Sequence, residues 1–296
     1  MPNTGSAPSV VELPGLRMHY LRAGPPAGET VVLLHGFPES SYAWRHQIAP
    51  LVTAGYRVLV PDQRGYALTE KIPPYDLTTL VGDIVGLLDA HAADRVHLAG
   101  HDWGGMVAWT IAAWFPRRVA SLLILNVPHP AVLLRVLPAL DLRQVVRSWY
   151  GLFFQLPWVP EVVLRARDFT LLRWAIRCSA RPGSITGDDL ARYREEWMQP
   201  GGLSAMLGWY RALPRVIFDR TERSRFDRRI TVPTILGWGM RDFALRPALA
   251  DASMAWVDTG KLCRFTEGSH WLPEEFPTEV ASLMVQHFGR AARRPS

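Results

Sequence analysis

Four short, mostly apolar runs recur in the first 130 residues: Val31 to Leu34, Arg57 to Val60, Arg95 to Ala99 and Ser121 to Leu125. Such runs suit central strands buried on both faces, which is how parallel sheets are built. Segments of helical period lie between them, such as Leu77 to Ala90 and Gly104 to Phe115. Strands alternating with helices predict an α/β sheet that is largely parallel. The same texture returns at Thr231 to Trp238 and Leu262 to Thr266, before a last helical segment from Pro277 to Phe288.

The middle of the chain differs. Asp141 to Gln155, Glu161 to Cys178, Thr186 to Met198 and Gly202 to Leu213 carry apolar residues at helical spacing, with no strand signal between them. Thr186 with Asp189 forms a capping pair in sequence, and Pro182-Gly183 and Pro200-Gly201 punctuate the helices. Residues 131–216 are therefore expected to form a helical cap, or lid, inserted between two halves of one core, 1–130 and 217–296. Five tryptophans fall there, Trp149, Trp158, Trp174, Trp197 and Trp209, and most are expected in the core of the lid.

The segment richest in chemistry is Gly100-His101-Asp102-Trp103-Gly104-Gly105. It follows an apolar strand and opens a helix. A strained strand-to-helix turn of this kind raises one side chain above the sheet as a nucleophile, and small residues around it let backbone and helix approach closely. The residue at the tip is Asp102. A plain helix N-cap would also use Asp, but it would leave the three glycines unexplained.

The chain resembles the α/β-hydrolase family and, within it, the epoxide hydrolases, from about Val10 to Arg290. His35-Gly36-Phe37-Pro38 is similar to the family's oxyanion loop, and Asp62-Gln63-Arg64-Gly65-Tyr66 to its Asp-x-Arg-Gly-Tyr turn. Asn126-Val127-Pro128-His129-Pro130 resembles the entrance to the lid. One departure is Ala67-Leu68-Thr69, where relatives have Gly-x-Ser; it bears on loop shape alone. The resemblance implies an α/β-hydrolase fold whose mostly parallel sheet carries the cap between its halves. In that fold the order is nucleophile, acid, histidine. Asp242, in Gly239-Met240-Arg241-Asp242, and His270, in Gly268-Ser269-His270-Trp271, follow late strands as the family's acid and base do. The resemblance also implies an oxyanion hole from the backbone N–H groups of Phe37 and Trp103.

A carboxylate attacking a saturated carbon gives an alkyl ester on the enzyme, so Asp102 points to epoxides or alkyl halides. Water then cleaves the ester, with His270 as general base and Asp242 holding its tautomer. The leaving group separates the candidates. An opened epoxide leaves an alkoxide that needs an acid, whereas a halide needs only weak N–H donors. Trp149-Tyr150-Gly151 and Trp209-Tyr210-Arg211 resemble the tyrosine segments of epoxide-opening relatives, which assigns Tyr150 and Tyr210 as paired donors. Tyr193, on a charged helix expected to face solvent, lacks that motif. The alternative is a haloalkane dehalogenase. Many of those carry asparagine where this chain has Phe37, and phenylalanine has no side-chain donor. A ligand-sensing pseudoenzyme is a further class, against which the complete triad speaks.

Phe37, Trp103, Phe153 and Phe154 are expected to form an apolar substrate wall, suited to a small apolar or aryl epoxide. Water is the only co-reactant the chemistry needs; no cofactor or metal motif is present. A net charge of +6 raises the question of nucleic acid, but the basic residues are nearly all arginine and are scattered among acids, with modest clusters at Arg215 to Arg229 and Arg290 to Arg294. No apolar run is long enough to span a membrane. The first ten residues have neither the basic nor the apolar part of a secretory signal. Two cysteines, Cys178 and Cys263, make no disulfide framework. The expectation is a reduced, cytoplasmic enzyme, with a homodimer left open.

Overall fold

The structure is a computed structural model that describes residues 6–136 and 142–292. Its strands are β1 (Ala7–Leu13), β2 (Leu16–Ala23), β3 (Thr30–Leu34), β4 (Arg57–Pro61), β5 (Val96–His101), β6 (Val119–Leu125), β7 (Thr234–Gly239) and β8 (Gly260–Phe265). They form one sheet in the order β1-β2-β4-β3-β5-β6-β7-β8. β1 and β2 pair antiparallel, as do β2 and β4, and every other pairing is parallel. The mostly parallel sheet expected from the apolar runs is therefore present. β3 is buried at every position and β5 likewise, because helices cover both faces.

Register brings the carboxyl ends of the central strands together. Leu34 pairs with Gly100, His101 with Leu125, and Leu125 with Gly237. The loops after β3, β5, β6, β7 and β8 consequently open on one edge, the place where α/β sheets bind ligands.

Between β6 and β7 the described residues form helices and no strand. The Thr186–Asp189 pair is a full capping box, with Asp189 N donating to Thr186 Oγ1 at 3.2 Å and Thr186 N to Asp189 Oδ2 at 2.8 Å. The helix expected over 141–155 is two pieces, Leu142–Arg147 and Trp149–Phe153; Asp141 lies outside the described residues. Val159–Ser179 is also interrupted, with positive φ at Arg167, Asp168 and Phe169. The break lets Asp168 accept from Arg194 at 2.5 Å while Phe169 packs on Trp197 at 5.6 Å between ring centroids.

Two expectations about side chains need correction. Tyr193 does not face solvent: it is 1% exposed and donates to Glu274 Oε1 at 2.9 Å. Its helix buries Asp189 beside Tyr193, paired with Arg45, and turns most of its other charged residues outward. Most of the five tryptophans are not lid core either. Trp197 and Trp209 are buried, but Trp149, Trp158 and Trp174 are exposed. The buried pair spend their indole N–H groups on the core, Trp197 on Pro38 O at 2.6 Å and Trp209 on Arg64 O at 3.0 Å. Arg45 adds ion pairs to Asp189 at 2.9 Å and Glu274 at 2.5 Å, so the inserted helices are fixed to the sheet by buried polar contacts. Of the basic tail, Arg293 and Arg294 lie outside the described residues.

Candidate active site

Asp102 opens the helix Asp102–Trp114 directly after β5, with φ +49. A non-glycine residue held there stores about 1–3 kcal/mol of strain, which the surrounding packing must outweigh. The packing is close. A Cβ on Gly36 would sit 2.4 Å from Asp102 Cβ, and one on Gly104 would sit 2.3 Å from Leu34 O. Glycine at these two positions is what allows the helix to start so near the sheet.

The carboxylate of Asp102 lies between two loops. Phe37 N donates to its Oδ1 at 2.8 Å, and His270 Nε2 stands 3.5 Å from its Oδ2. Trp103 is in the first turn of the same helix, where backbone N–H groups lack intrahelical acceptors. His270 Nδ1 meets Asp242 Oδ2 at 2.9 Å. Asp242 Oδ1 accepts from Ala244 N at 2.7 Å and Leu245 N at 2.9 Å. The structure thus brings Asp102, His270 and Asp242 into one line, all three buried or nearly so.

The electrostatics follow from that line. Burial acts to raise the Asp102 carboxyl, but the hydrogen bond and charge of His270, with His101 and the Phe37 N–H, outweigh it and leave it below the usual carboxylate range. Burial acts to lower His270, yet the charge of Asp242 and the bonds to both carboxylates hold it well above the ordinary imidazole value. The imidazolium lies between two anions.

Tyr150 and Tyr210 come from different inserted helices, and their rings meet edge to face at 6.1 Å. Burial first, then the nearby Asp102 charge, push both phenols up, so each keeps its O–H as a donor. Tyr210 also packs edge to face on Trp103 at 5.2 Å and Phe37 at 5.3 Å.

Asp102, Tyr150 and Tyr210 line two apolar cavities that meet above the carboxylate. The smaller, about 230 Å³, runs past Trp103, Met106, Val127 and Leu213. The larger, about 400 Å³, runs past Phe37, Phe153, Phe154 and His270. All four residues expected as substrate wall therefore line one lobe or the other.

Sequence reasoning missed the groups behind this line. Asn126 Nδ2 donates to Asp242 Oδ2 at 2.7 Å and to Ser269 O at 3.1 Å, tying the acid to the histidine's own loop. Its backbone is left-handed, with φ +50, a conformation Asn tolerates where a strand ends abruptly. His101 places Nδ1 2.9 Å from Glu39 Oε2 and Nε2 2.7 Å from His270 O, so both ring nitrogens face acceptors. That link spans the chain, and nothing local announces it. Among the described residues no group of three or more His, Cys, Asp or Glu side chains could hold a metal ion.

A sequence profile described as the alpha/beta hydrolase fold matches residues 29–277. The chain belongs to the α/β-hydrolase family. Within that family it is 42% identical over 276 residues to the AB hydrolase superfamily protein YfhM of Bacillus subtilis (strain 168), covering 92% of this chain and 94% of that one. It is 36% identical over 282 residues to epoxide hydrolase 4 of Homo sapiens, covering 91% of this chain and 75% of that one. The fold is similar to the crystal structure of Bacillus megaterium epoxide hydrolase in complex with an inhibitor. The TM-score is 0.83 at 29% identity, over 95% of this chain and 100% of that chain. As an α/β-hydrolase the chain has the family's sheet and a helical insertion after β6, and no helix among the described residues is long and apolar enough to cross a membrane.

Proposed function

We propose that this chain is an epoxide hydrolase that opens a small apolar or aryl epoxide to a vicinal diol. The observation that carries the reading is the meeting, in the lining of both apolar cavities, of an aspartate at the elbow tip with two tyrosines of the inserted helices. The similarity to epoxide hydrolases of several organisms supports it. Helices within 131–216 act as the cap over a core formed by 1–130 and 217–296.

In this reading Asp102 attacks an epoxide carbon from the sheet side. Tyr150 and Tyr210 hydrogen-bond the ring oxygen from the cap side and supply the proton as the C–O bond breaks. The product of this step is an alkyl ester on Asp102. Esterification removes the Asp102 charge, one of the two anions that hold the His270 proton. The imidazolium then gives up its proton, which returns to the tyrosine that protonated the ring oxygen, and the neutral imidazole accepts a proton from water as that water attacks the ester carbonyl. Asp242 remains to orient the ring and stabilise the imidazolium that forms. The oxyanion of the tetrahedral intermediate falls to the Phe37 N–H, already 2.8 Å from Asp102 Oδ1, and to the Trp103 N–H. Collapse expels the ester oxygen, which takes the second proton of the water; this releases the diol and restores the Asp102 carboxylate and the His270 imidazolium.

The test is a parallel assay of styrene oxide and 1-bromobutane, following diol and bromide. Diol formation without bromide release is the expected result. Bromide release with no diol would make the chain a haloalkane dehalogenase, and turnover of neither would favour a ligand-sensing role.

A further inference from the structure

The mouth of the cavity carries apolar side chains that folding leaves without a partner. Trp149, Leu171 and Trp174 line the larger lobe and are 62%, 44% and 61% exposed. Leu152 and Phe218 line the smaller lobe and are 66% and 77% exposed. The rims of both lobes are thus apolar and face water, a pattern that marks an interaction site.

Charge tells which kind of partner suits this face. Residues 142–181 hold seven arginines and two acids. Both acids are already spent: Glu161 pairs with Arg211 at 2.6 Å and Asp168 with Arg194 at 2.5 Å. Arg165, Arg167 and Arg177 are exposed, with no ion pair among the described residues. Arg177 follows Trp174 by one helical turn and so neighbours it on the helix surface. A second copy seated here by two-fold symmetry would set arginine against arginine. Anionic headgroups would meet the same arginines favourably, and tryptophan is at home at the depth of a lipid headgroup.

We propose that this face docks on an anionic lipid surface with the cavity mouth turned toward the bilayer. Apolar substrate would then enter from the lipid without crossing water. That last clause rests on the epoxide reading; the docking itself does not.

The experiment sediments the full chain with vesicles of phosphatidylcholine alone and of phosphatidylcholine mixed with phosphatidylglycerol, at low and high salt. Binding to the mixed vesicles that weakens with salt is expected, with little binding to phosphatidylcholine. The triple variant Arg165→Gln, Arg167→Gln, Arg177→Gln should weaken partitioning about a hundredfold, at about fivefold for each arginine. The double variant Trp149→Ser, Trp174→Ser should lose most of the quenching of tryptophan emission by brominated lipid. Equal binding to both vesicles, or variants that bind like the parent, would overturn the proposal. So would a dimer in sedimentation velocity that the variants dissolve while lipid binding stays absent, which would give the face to a second copy. Styrene oxide in solution should be turned over by the arginine variant at the parent rate. A parent that binds vesicles and turns over no epoxide would sink the epoxide reading and leave the docking intact.

Discussion

Asn126 offers a way to weigh the groups that hold the acid. Its amide donates to Asp242 Oδ2 at 2.7 Å, the same oxygen that meets His270 Nδ1, and to Ser269 O at 3.1 Å. Its backbone is left-handed, with φ +50. Two substitutions separate the two roles. Asn126→Gly removes the side chain and accepts the backbone; Asn126→Ala removes the side chain and strains the backbone as well. A buried hydrogen bond to a charged group is worth about 1.5–3 kcal/mol. Holding alanine in the left-handed region costs about 1–2 kcal/mol more. At about 2–4 °C per kcal/mol for a large domain, Asn126→Gly should lower Tm by about 3–12 °C, and Asn126→Ala by a further few degrees. Calorimetry or a thermal melt followed by circular dichroism reads this directly. In the enzyme, an Asp242 carboxylate with one restraint fewer orients His270 less well, so ester hydrolysis should slow about tenfold in both variants. Equal melting temperatures for the two variants would refute the backbone argument. A parent-like Tm for Asn126→Gly would refute the claim that its amide secures Asp242.

Other predictions concern the reacting groups. Tyr150→Phe and Tyr210→Phe should each slow alkylation moderately, and the double variant by about 10²–10⁴-fold or more, since one donor partly covers for the other; stopped-flow measurement of ester formation resolves this, and a double variant at the parent rate would remove both tyrosines from the mechanism. His270→Gln should still alkylate and then stall, so intact-mass measurement should find protein plus one substrate; an unmodified, folded variant would mean that His270 is not the hydrolytic base. Asp102→Asn removes one of the two anions that favour the imidazolium, so the His270 pKa should fall from its raised position. Titration of the imidazole by NMR checks that sign, and an unchanged or higher value would contradict the charge account.

The central sheet was legible because β3 and β6 are nearly pure apolar runs and β5 is mostly apolar, and such runs have few places to go except between two layers of helices. β1 and β2 were not named in advance. They lie at the antiparallel edge, where β1 alternates exposed and half-buried residues and carries little apolar signal. The triad residues could be marked because each follows a strand and their order is fixed by topology. Asn126, Glu39 and His101 could not be given their roles, since each acts through a partner far along the chain, as His101 does on His270 O. The tryptophans misled for a related reason. Hydrophobicity favours burial, but Trp149 and Trp174 sit at a cavity rim, where there is no further layer to cover them. Tyr193 misled in the opposite direction, because Glu274 and Arg45 supply a buried polar niche under a helix whose sequence reads as solvated.

The claim on which the rest depends is that the Asp102 carboxylate itself becomes bonded to the substrate. A single turnover with enzyme in excess, in water enriched in heavy oxygen, tests it most directly. The diol oxygen added at the attacked carbon comes from Asp102 in this account, and solvent oxygen replaces it in the carboxylate when the ester is cleaved. The expected result is unlabelled diol together with label in the peptide that contains Asp102, read by mass spectrometry. Labelled diol with no label in that peptide would mean that water attacks the epoxide directly, and the covalent mechanism would be wrong.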